Sequence, residues 1–598
     1  MTYAEDLGLN IAEVELNLVD SVERADAFMR WLGERRSALA VDTETEGLEW
    51  WHQKLRLVQF GDCRTGWAIP WERWGGVAVE ALKRYDQPLV FHHAKFDIHF
   101  LEEAAPGEIS ISWANVNDTA VAAHLLDPRR ARALKTLATH YVHPSAAGGQ
   151  QILNQAVAAQ KWNWATIPID FEPYWTYGAL DTVLTANLHD VFLDQSKQRP
   201  AYKTVYDLEI AVLEALYHAE KRGCCIDRGY AAQRLDELQK YVLDTRTWVE
   251  TTYGVNPGSN AAVATRLQQD GVELTELTAS GAAFKMDEDV LEGVHHPLAE
   301  AVLRARKAQK VANTYLQNFV DITDGGGLIH PDINSLGART GRMSITRPAL
   351  QTLPRADEHN ALAIIVRDCF VPRSETNSLL LIDYDQIEAR LLAHFADDPA
   401  LIEAILEGDI HTATARRIYQ DNTITRKDPR RQLAKNAQFA ILYGAGPRRF
   451  AQTAGIPEEQ GAEFMGLYHA AFPGVRQLQR LIEVTANHNA ATDGYPWIES
   501  PLGRRHPLDP DKMYTGTNYL IQGTAADVFK QKLVELANAG LDEFMCLPIH
   551  DEVMFDVPDD QAVEVERLAI QVMEDTTSWK VPLTCAADIV KRWGDKYR

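Results

Sequence analysis

The segment Leu379-Leu380-Leu381-Ile382-Asp383 is an apolar run that ends in an acid, and QIEARLLAHFADD (386–398) begins a helical period just after it. A carboxylate at the tip of a buried strand is held rigidly and can face a cleft. The segment MCLPIHDEVMFDVP (545–558) has a similar character, because it reads as two strand arms around a turn that carries Asp551 and Glu552.

Two strand tips of this kind, side by side, can hold two divalent ions about 3.5–4 Å apart, one activating an attacking oxygen and one stabilising the leaving oxygen. Magnesium suits such a site, because it takes a few carboxylates together with waters and substrate phosphates. Each acid taken singly is better explained as an ordinary strand-end residue.

A basic and aromatic helix is predicted between the two strands, in RRQLAKNAQFAILYG (430–444). Its residues Arg431, Lys435, Phe439 and Tyr443 recur at steps of four and therefore form one stripe on a helix. Two cations followed by two rings match a nucleoside triphosphate, with phosphates on the cations and base and sugar on the rings. The alternative is a solvated cation pair beside an aromatic core contact.

A second set of acids lies near the N-terminus. Asp42 and Glu44 are two apart in LAVDTETEG (39–47), hence on one face of a strand. Asp97 follows in FHHAKFD, and YGALD places Tyr177 and Asp181 four apart on a helix. Four acids and a tyrosine suit a two-metal hydrolysis in which the tyrosine orients the attacking water. The DxE pair alone is typical of a surface strand turn.

The composition of the 598 residues indicates a globular chain of several domains, 46% hydrophobic and 24% charged. The six cysteines form no CxxC pair, which disfavours a zinc site or a disulfide framework and favours a reducing, cytoplasmic setting. No apolar run approaches the roughly 18 residues of a membrane span. The net charge of −24 argues at first sight against a nucleic-acid partner, but the basic stretch 425–449 can bind DNA locally.

The pattern of elements divides the chain in two. Residues 1–198 alternate strand-like runs with helical stretches, which predicts an α/β domain. The polar segment DQSKQRPAY (194–202) reads as a boundary. Long charged helices follow to about residue 310, and the remainder mixes apolar strands with long helices.

The motifs DYDQIEAR (383–390), RRQLAKNAQFAILYG (430–444) and IHDE (549–552) resemble the three signature motifs of family A DNA polymerases, the group of bacterial DNA polymerase I. Further matches occur in family order: ARTGRMS (338–344), LQTLP (350–354), DIHTATA (409–415), SPLGRRHPL (500–508) and NYLIQGTAAD (518–527). The N-terminal acids, over roughly residues 35–190, resemble proofreading 3′–5′ exonucleases of the DEDDy type.

The polymerase resemblance implies a role for each matching residue. Asp383 and Asp551 are then the metal-binding catalytic pair, with Glu552 as a supporting acid. Arg431 and Lys435 hold the triphosphate, and Lys435 protonates the leaving pyrophosphate.

The remaining contacts implied by the resemblance concern the nucleotide and the DNA. Glu388 crowds a ribose 2′-hydroxyl, and phenylalanine at position 439 implies discrimination against dideoxynucleotides. The expected nucleotide contacts are Phe439, Tyr443 and His411, and the expected primer-template contacts are Arg342, Asn518, Gln522 and His550.

The exonuclease resemblance implies that Asp42, Glu44, Asp97 and Asp181 bind metal and that Tyr177 assists hydrolysis. Three positions depart from the family patterns. His93 replaces an asparagine of the exonuclease, Asp385 replaces a serine beside the polymerase metals, and Tyr514 replaces an arginine. Because all four exonuclease acids are kept, activity is expected.

The expected fold is an α/β, RNase H-like exonuclease domain with a mixed sheet, followed by an α+β polymerase domain of right-hand architecture. The boundaries predicted for it are 1–198 for the exonuclease and 199–598 for the polymerase. Within the polymerase we expect the thumb at about 205–320, the palm at about 321–405 and 500–598, and the fingers at about 406–499.

The expected cofactor is Mg²⁺, two ions per active site, with Mn²⁺ as a substitute. The expected partners are primer-template DNA, dNTPs and a single-stranded DNA 3′ end. No membrane association is expected. The protein is expected to be a monomer that can also bind replisome partners. The compact layout resembles replicative polymerases of bacteriophages, which would place the protein in the host cytoplasm.

Three alternatives are open at this point. A single-subunit RNA polymerase has a similar palm, but Glu388 and the fused exonuclease argue against it. A 3′–5′ nuclease with an inert, DNA-gripping C-terminal half is the second, and a non-catalytic DNA-binding protein is the third. A non-catalytic protein would not need the complete set of metal-site acids, and failure of primer extension with Mg²⁺ would favour the nuclease.

Overall fold

The N-terminal part of the computed structural model is a mixed sheet covered by helices. The structure describes residues 14–34, 38–278, 280–357, 360–442 and 444–598. The strands of this sheet are β1 (Glu15–Leu18), β2 (Leu39–Thr45), β3 (Leu55–Gly61), β4 (Thr65–Pro70), β5 (Leu89–Phe91) and β6 (Val116–Asp118). Their order is β1-β4-β3-β2-β5-β6, with β2 antiparallel to β3 and parallel to β5. The predicted α/β fold with a mixed sheet is confirmed.

Seven helices accompany this sheet among the described residues. They are α1 (Val22–Leu32), α2 (Trp71–Arg84), α3 (Ala94–Ala104), α4 (Thr119–Leu126), α5 (Leu134–Tyr141), α6 (Gly148–Gln160) and α7 (Glu172–Ser196). Helix α7 crosses β2, β3 and β4 closely, because Gly178 lies where an added Cβ would meet Gln59 Nε2 at 2.3 Å. This approach brings Tyr177 and Asp181, one helical turn apart, towards strand β2.

A helical region follows the exonuclease-like part. Its helices are α8 (Tyr202–Arg222), α9 (Arg228–Tyr253), α10 (Asn260–Gln269), α11 (Glu288–Glu292), α12 (Pro297–Val311) and α13 (Gln317–Asp321), with a π-helical segment, Ala312–Leu316, between the last two. Helix α9 packs along α12. Helix α8 contributes to two hydrophobic cores, since Leu213 and Tyr217 pack with the N-terminal sheet and Leu216 and Ala219 with the C-terminal region.

The C-terminal region is built on a four-stranded antiparallel sheet. Its strands are β11 (Asn377–Tyr384), β14 (Met545–Ile549), β15 (Glu552–Pro558) and β16 (Cys585–Val590), in the order β14-β15-β11-β16. Both sequence segments that carry acids at their tips therefore lie in one sheet. In its register Asp383 of β11 is directly opposite Glu552 of β15.

Helices and short strands complete this region. The helices are α14 (Ala361–Arg367), α15 (Ile387–Ala396), α16 (Pro399–Leu406), α17 (Ile410–Tyr419), α18 (Pro429–Leu442), α19 (Pro447–Ala454), α20 (Glu458–Ala471), α21 (Pro473–Asp493), α22 (Gly516–Asn538) and α23 (Ala562–Met573). The short strands pair as β7 (Cys224–Cys225) with β8 (Leu328–Ile329), β9 (Asp332–Asn334) with β10 (Ser344–Thr346), and β12 (Trp497–Glu499) with β13 (Arg505–Pro507). Within the described ranges, no helix is both long and apolar enough to cross a membrane.

A buried ionic network joins α8 to the C-terminal region. Glu209 of α8 is fully buried, and its Oε1 accepts from Arg504 Nη2 at 2.5 Å and from Lys530 Nζ at 2.6 Å. Asp527, one turn before Lys530 on α22, accepts from Arg504 Nε at 2.7 Å. Removing one partner of such a network leaves the others charged without compensation, which is costly in a buried site.

We therefore expect Glu209→Gln to lower the free energy of unfolding by about 3–5 kcal/mol, because Arg504 and Lys530 lose their shared carboxylate. Urea unfolding and the melting temperature measure this change. The matched control is Asp207→Asn on the same helix, which breaks an exposed pair with Lys203 of 2.6 Å and should cost less than about 1 kcal/mol. Equal effects of the two variants would contradict the role assigned to the network.

Candidate active sites

The acids of the C-terminal sheet converge at one edge. Asp383 ends β11 opposite Glu552, and Asp551 lies in the turn between β14 and β15. This turn is tight, because His550 adopts a left-handed backbone with φ of 56°. The Tyr384 amide donates to the Asp551 carbonyl at 3.3 Å, which ties the turn to β11. The three acids thus share one rigid sheet edge.

Burial and mutual repulsion disfavour the ionised forms of the three carboxyls. Burial, followed by the charge of Asp551, raises the pKa of Asp383 to about 6. Burial also raises the pKa of Asp551 to about 6, and that of Glu552 above its usual range. The buried Oε1 of Glu552 has no hydrogen-bond partner among the described residues. An all-oxygen, acidic donor set with an unpaired buried oxygen fits a hard divalent cation.

Lys596 contacts this cluster, and the sequence analysis did not predict that contact. It lies in the short 3₁₀ helix Trp593–Tyr597, where Trp593 is buried against Phe370 with ring centroids 5.1 Å apart. The Lys596 ammonium pairs with Glu552 and lies 3.7 Å from Asp383 Oδ2. A single lysine distant in sequence from both acid motifs gives no local signal of this contact.

Phe439, in the stripe of helix α18, lines a cavity together with Asp551. Arg431 is held by Asp409, which accepts from Arg431 Nε at 2.9 Å and from Nη2 at 3.1 Å. Burial, then the charges of Arg355 and Arg431, lowers the pKa of Lys435. The helix ends at Leu442, and the predicted contact Tyr443 lies outside the described residues.

His411 lies next to this helix. Its Nδ1 is 3.0 Å from Gln438 Oε1, and its ring centroid is 6.1 Å from that of Phe439. Burial lowers the pKa of His411 to about 4, so the ring is neutral at neutral pH. His411 can therefore offer a hydrogen bond to an anion without adding a full charge.

Each candidate site adjoins a cavity. The cavity at the N-terminal acids has a volume of about 410 Å³, and the cavity at the C-terminal acids has a volume of about 290 Å³. The smaller one is lined by Glu388, Phe439, His550 and Asp551. The Arg342 guanidinium pairs with Glu388 across it.

Gln351 was not recognised as a site residue from the sequence. Its Nε2 donates to His550 Nδ1 at 3.0 Å, with the tautomer assigned from this contact. Gln351 belongs to the LQTLP motif, so the motif was the available signal.

The expected DNA contacts Asn518 and Gln522 lie one turn apart on α22. Gln522 is buried, and Asn518 Oδ1 is buried without a partner among the described residues.

Two positions of the C-terminal half, Asp385 and Tyr514, depart from the family pattern. Thr584 Oγ1 donates to Asp385 Oδ2 at 2.9 Å, and Tyr514 is 58% exposed, with its carbonyl facing Gly444.

In the N-terminal domain, Asp42, Glu44 and Asp181 come together, with ligand oxygens all within 4.8 Å of one another. Asp97 is buried beside them, and its Oδ1 accepts from Thr43 Oγ1 at 2.7 Å. The first three form a donor set that fits a hard cation, and Asp97 is a neighbour that the cluster does not include.

This N-terminal acid cluster also contains a lysine that the sequence gave no reason to expect. The Lys135 ammonium pairs with Asp181 and lies 4.4 Å from the ring centroid of Tyr177. Burial lowers the pKa of Lys135 to about 7, and burial raises that of Asp42 to about 7 and that of Glu44 well above its usual range.

The larger cavity lies in front of this cluster and between the two halves of the chain. It is lined by Asp42 and Asp97, by the rings of Trp50 and Trp51, and by Arg347 of the C-terminal half. His93, which directly precedes α3 and has a left-handed backbone of φ 73°, also lines it.

An acid cluster on a mixed sheet, and a second set of acids beside a cavity that the cation-bearing helix α18 helps to line, fit the class of template-directed polymerases that carry a nuclease. Two family models agree: DNA polymerase family A matches residues 230–595, and 3′–5′ exonuclease matches residues 18–197. The chain belongs to DNA polymerase family A, and it is a DNA-directed DNA polymerase with a 3′–5′ exonuclease domain, as the sequence predicted.

Curated relatives of similar length are the DNA polymerases of Mycobacterium phages D29 and L5. They are 30% and 31% identical, each over 98% of this chain and 97% of the relative. DNA polymerase I of Chloroflexus aurantiacus is 28% identical over 87% of this chain and 56% of its own length. These relatives leave the RNA polymerase alternative without support.

The fold matches a solved structure, the POL domain of Pol1 from M. smegmatis in complex with DNA primer-template and dNTP. The TM-score is 0.77 at 24% sequence identity, over 97% of this chain and 99% of that one. Domains of these two families generally use divalent metals, which agrees with the acidic donor sets described above.

The raised pKa values of Asp383 and Asp551 predict a pH-dependent metal affinity. Both carboxyls carry protons below about pH 6, and a divalent ion needs the ionised form. Lowering the pH from about 7 to about 5 should therefore weaken binding of Mn²⁺ to this cluster by roughly tenfold or more.

Isothermal titration calorimetry of Asp42→Ala, in which the exonuclease cluster is impaired, measures this affinity. The control is Asp42→Ala combined with Asp551→Ala, which should lose the binding. An affinity that stays constant over this pH range would contradict the pKa shifts.

Proposed function

We propose that the C-terminal cluster catalyses nucleotide addition to a primer 3′ end, with Asp383 and Asp551 as the metal ligands. The observation that carries this is the register of Asp383 opposite Glu552, with Asp551 in the adjoining turn. When bound, two Mg²⁺ ions, for which Mn²⁺ substitutes, activate the 3′-oxygen and stabilise the leaving oxygen. Glu552 supports the ligands through its pair with Lys596.

Arg431 and Lys435 bind the triphosphate from the face of α18. The Arg431 guanidinium makes two hydrogen bonds to Asp409 in this structure. When the nucleotide binds, two phosphate oxygens take the place of the two carboxylate oxygens. As the 3′-hydroxyl loses its proton to water and its oxygen bonds to the α-phosphorus, the bond from phosphorus to the pyrophosphate oxygen breaks. Lys435 gives its proton to that leaving oxygen, and its lowered pKa favours the transfer.

The sugar and base of the incoming nucleotide lie against Phe439 and Tyr443, with His411 near the phosphates. Glu388 closes the space beside C2′ and so disfavours a ribonucleotide. Its pairing with Arg342 supports this placement, because the pair spans the cavity that also holds Asp551.

The primer-template contacts are made by four side chains at this cavity and on α22. Gln351 orients His550 through their hydrogen bond of 3.0 Å. Contacts of this kind in the minor groove check pairing and shape with little sequence preference. The four are Arg342, Asn518, Gln522 and His550.

At the second site Asp42, Glu44, Asp97 and Asp181 hold the ions for 3′–5′ hydrolysis, and Tyr177 orients the water. The cavity in front of the cluster receives the single-stranded 3′ end. Its aromatic and cationic lining, Trp50, Trp51 and Arg347 among others, suits unpaired bases and a phosphate backbone.

The division of labour along the chain follows the predicted boundaries. Residues 1–198 are the exonuclease and 199–598 the polymerase, with the thumb at about 205–320, the palm at about 321–405 and 500–598, and the fingers at about 406–499. The similarity to two phage polymerases over nearly their whole length supports a role in replicating viral DNA. The protein then works as a monomer, with replisome partners, in the cytoplasm of the host cell.

The two sites should be separable by single substitutions. Asp383→Ala should reduce primer extension by roughly a hundredfold or more while single-strand degradation persists, and Asp42→Ala should do the reverse, because each removes one metal ligand. Gel assays on matched and mismatched primers measure both activities.

The matched control is Asp385→Ser, which changes an acid two residues from Asp383 whose side chain is bonded to Thr584. It should leave extension close to normal. Loss of both activities in one alanine variant that is still folded would overturn the assignment of two sites.

Phe439→Tyr should raise incorporation of dideoxynucleotides relative to dNTPs. The added hydroxyl supplies a polar partner where the 3′-hydroxyl is missing, and one such hydrogen bond corresponds to roughly five- to tenfold. Competition between a ddNTP and its dNTP on one template measures the ratio. Phe439→Leu, which adds no hydroxyl, is the control, and an equal gain in that variant would contradict the prediction.

A further inference from the structure

Lys135 lies inside the ligand set of the exonuclease cluster. Its ammonium pairs with Asp181, and the ligand oxygens of Asp42, Glu44 and Asp181 are all within 4.8 Å of one another. Its side chain is only 11% exposed, which is unusual for a lysine. The positive charge therefore occupies the space in which a cation would meet these carboxylates.

The fold delivers this lysine to a fixed place. Lys135 is the second residue of α5, and Leu137 and Ala138 of the same helix are buried against α7, beside Leu180 and Leu184. Helix α7 also carries both partners of Lys135, namely Asp181 and the ring of Tyr177. Packing of two apolar helix faces thus sets the position of the ammonium, whereas the side chain of a surface lysine can move between several partners.

An ammonium and a divalent ion at this place exclude one another. Both need the oxygens of Asp181, and like charges at such distances in a partly dry site repel strongly. Without metal, the three closely spaced carboxylates repel as well, and the ammonium offsets that repulsion. Lysine and metal are therefore alternative counterions for one acid cluster.

We propose that Lys135 is a resident counterion of the exonuclease site, which stabilises the cluster without metal and must leave Asp181 before a metal ion binds. The inference rests on the proposed role of Asp42, Glu44 and Asp181 as metal ligands. Lys135 is then a positioning residue that sets the metal affinity of the exonuclease. It makes proofreading more demanding of divalent ions than polymerisation, because the polymerase lysine, Lys596, makes its closer contact with the supporting acid Glu552 and lies 3.7 Å from the ligand Asp383.

The test is metal binding at the exonuclease cluster alone. The background is Asp383→Ala combined with Asp551→Ala, and the probe is Mn²⁺ in isothermal titration calorimetry. Lys135→Met should lower the dissociation constant by roughly tenfold or more, while Lys135→Arg, which keeps the charge, should stay near the parent value. A dissociation constant that is unchanged or higher in Lys135→Met overturns the inference.

Melting temperatures give a second readout. In EDTA, Lys135→Met should melt below the parent, and Mn²⁺ should raise its melting temperature by more than it raises that of the parent. Lys95→Met is the matched control, because Lys95 is a buried lysine of the same domain that pairs with Glu220 outside the cluster. A larger Mn²⁺ response in Lys95→Met than in Lys135→Met counts against the inference.

The unmodified protein provides a test that needs no variant to fold. Half-maximal degradation of single-stranded DNA should require several-fold more Mn²⁺ than half-maximal primer extension, and equal demand overturns the inference. Failure of the proposed function looks different. If Asp42, Glu44 and Asp181 are not metal ligands, adding Asp42→Ala to the Asp383→Ala and Asp551→Ala background would leave Mn²⁺ binding intact, both with Lys135 and with Lys135→Met.

Discussion

Holding like charges together in a partly dry environment is the constraint on which both active sites depend. Asp383, Asp551 and Glu552 share one sheet edge, and their pKa values rise because burial and mutual repulsion disfavour the ionised forms. Only a rigid frame keeps such groups in place. The backbone pairing of β11 with β15, and the left-handed turn at His550, provide that frame. The repulsion within the cluster is what a bound cation would relieve at the proposed metal site.

A second common feature is that cations of each site are already paired with the acids of that site. Arg431 is held by Asp409, Arg342 by Glu388, Lys596 by Glu552 and Lys135 by Asp181. In the proposed functions, nucleotide, DNA and metal ions would therefore replace these acidic or basic partners when they bind. Such pairs keep arginine and lysine side chains oriented before the ligand arrives, which reduces the entropy lost on binding.

The two sites are also joined mechanically. Lys95 on α3, the helix of Asp97, donates to the carbonyl of Ile333 at 2.6 Å, and His124 Nε2 contacts the carbonyl of Ala338 at 3.1 Å. These carbonyls lie in the segment that leads to Arg342. Helix α8 adds a shared element, because it packs in both hydrophobic cores and anchors Arg504 and Lys530 through Glu209. The N-terminal domain is thus docked on the segment that leads to Arg342, the proposed primer-template contact.

The sequence alone determined the family, the fold class and the activity, because metal-ligand acids and the helix stripe recur at spacings that local structure preserves. Asp383, near the end of its strand, and Asp551, in the turn of its hairpin, were predicted as metal ligands in this way. The sequence did not reveal Lys135 or Lys596, which lie far along the chain from the acids they contact. It also left open where Asp385 points, which its hydrogen bond to Thr584 decides. Partners of this kind are set by the packing of distant helices and strands, and only the tertiary structure brings them together.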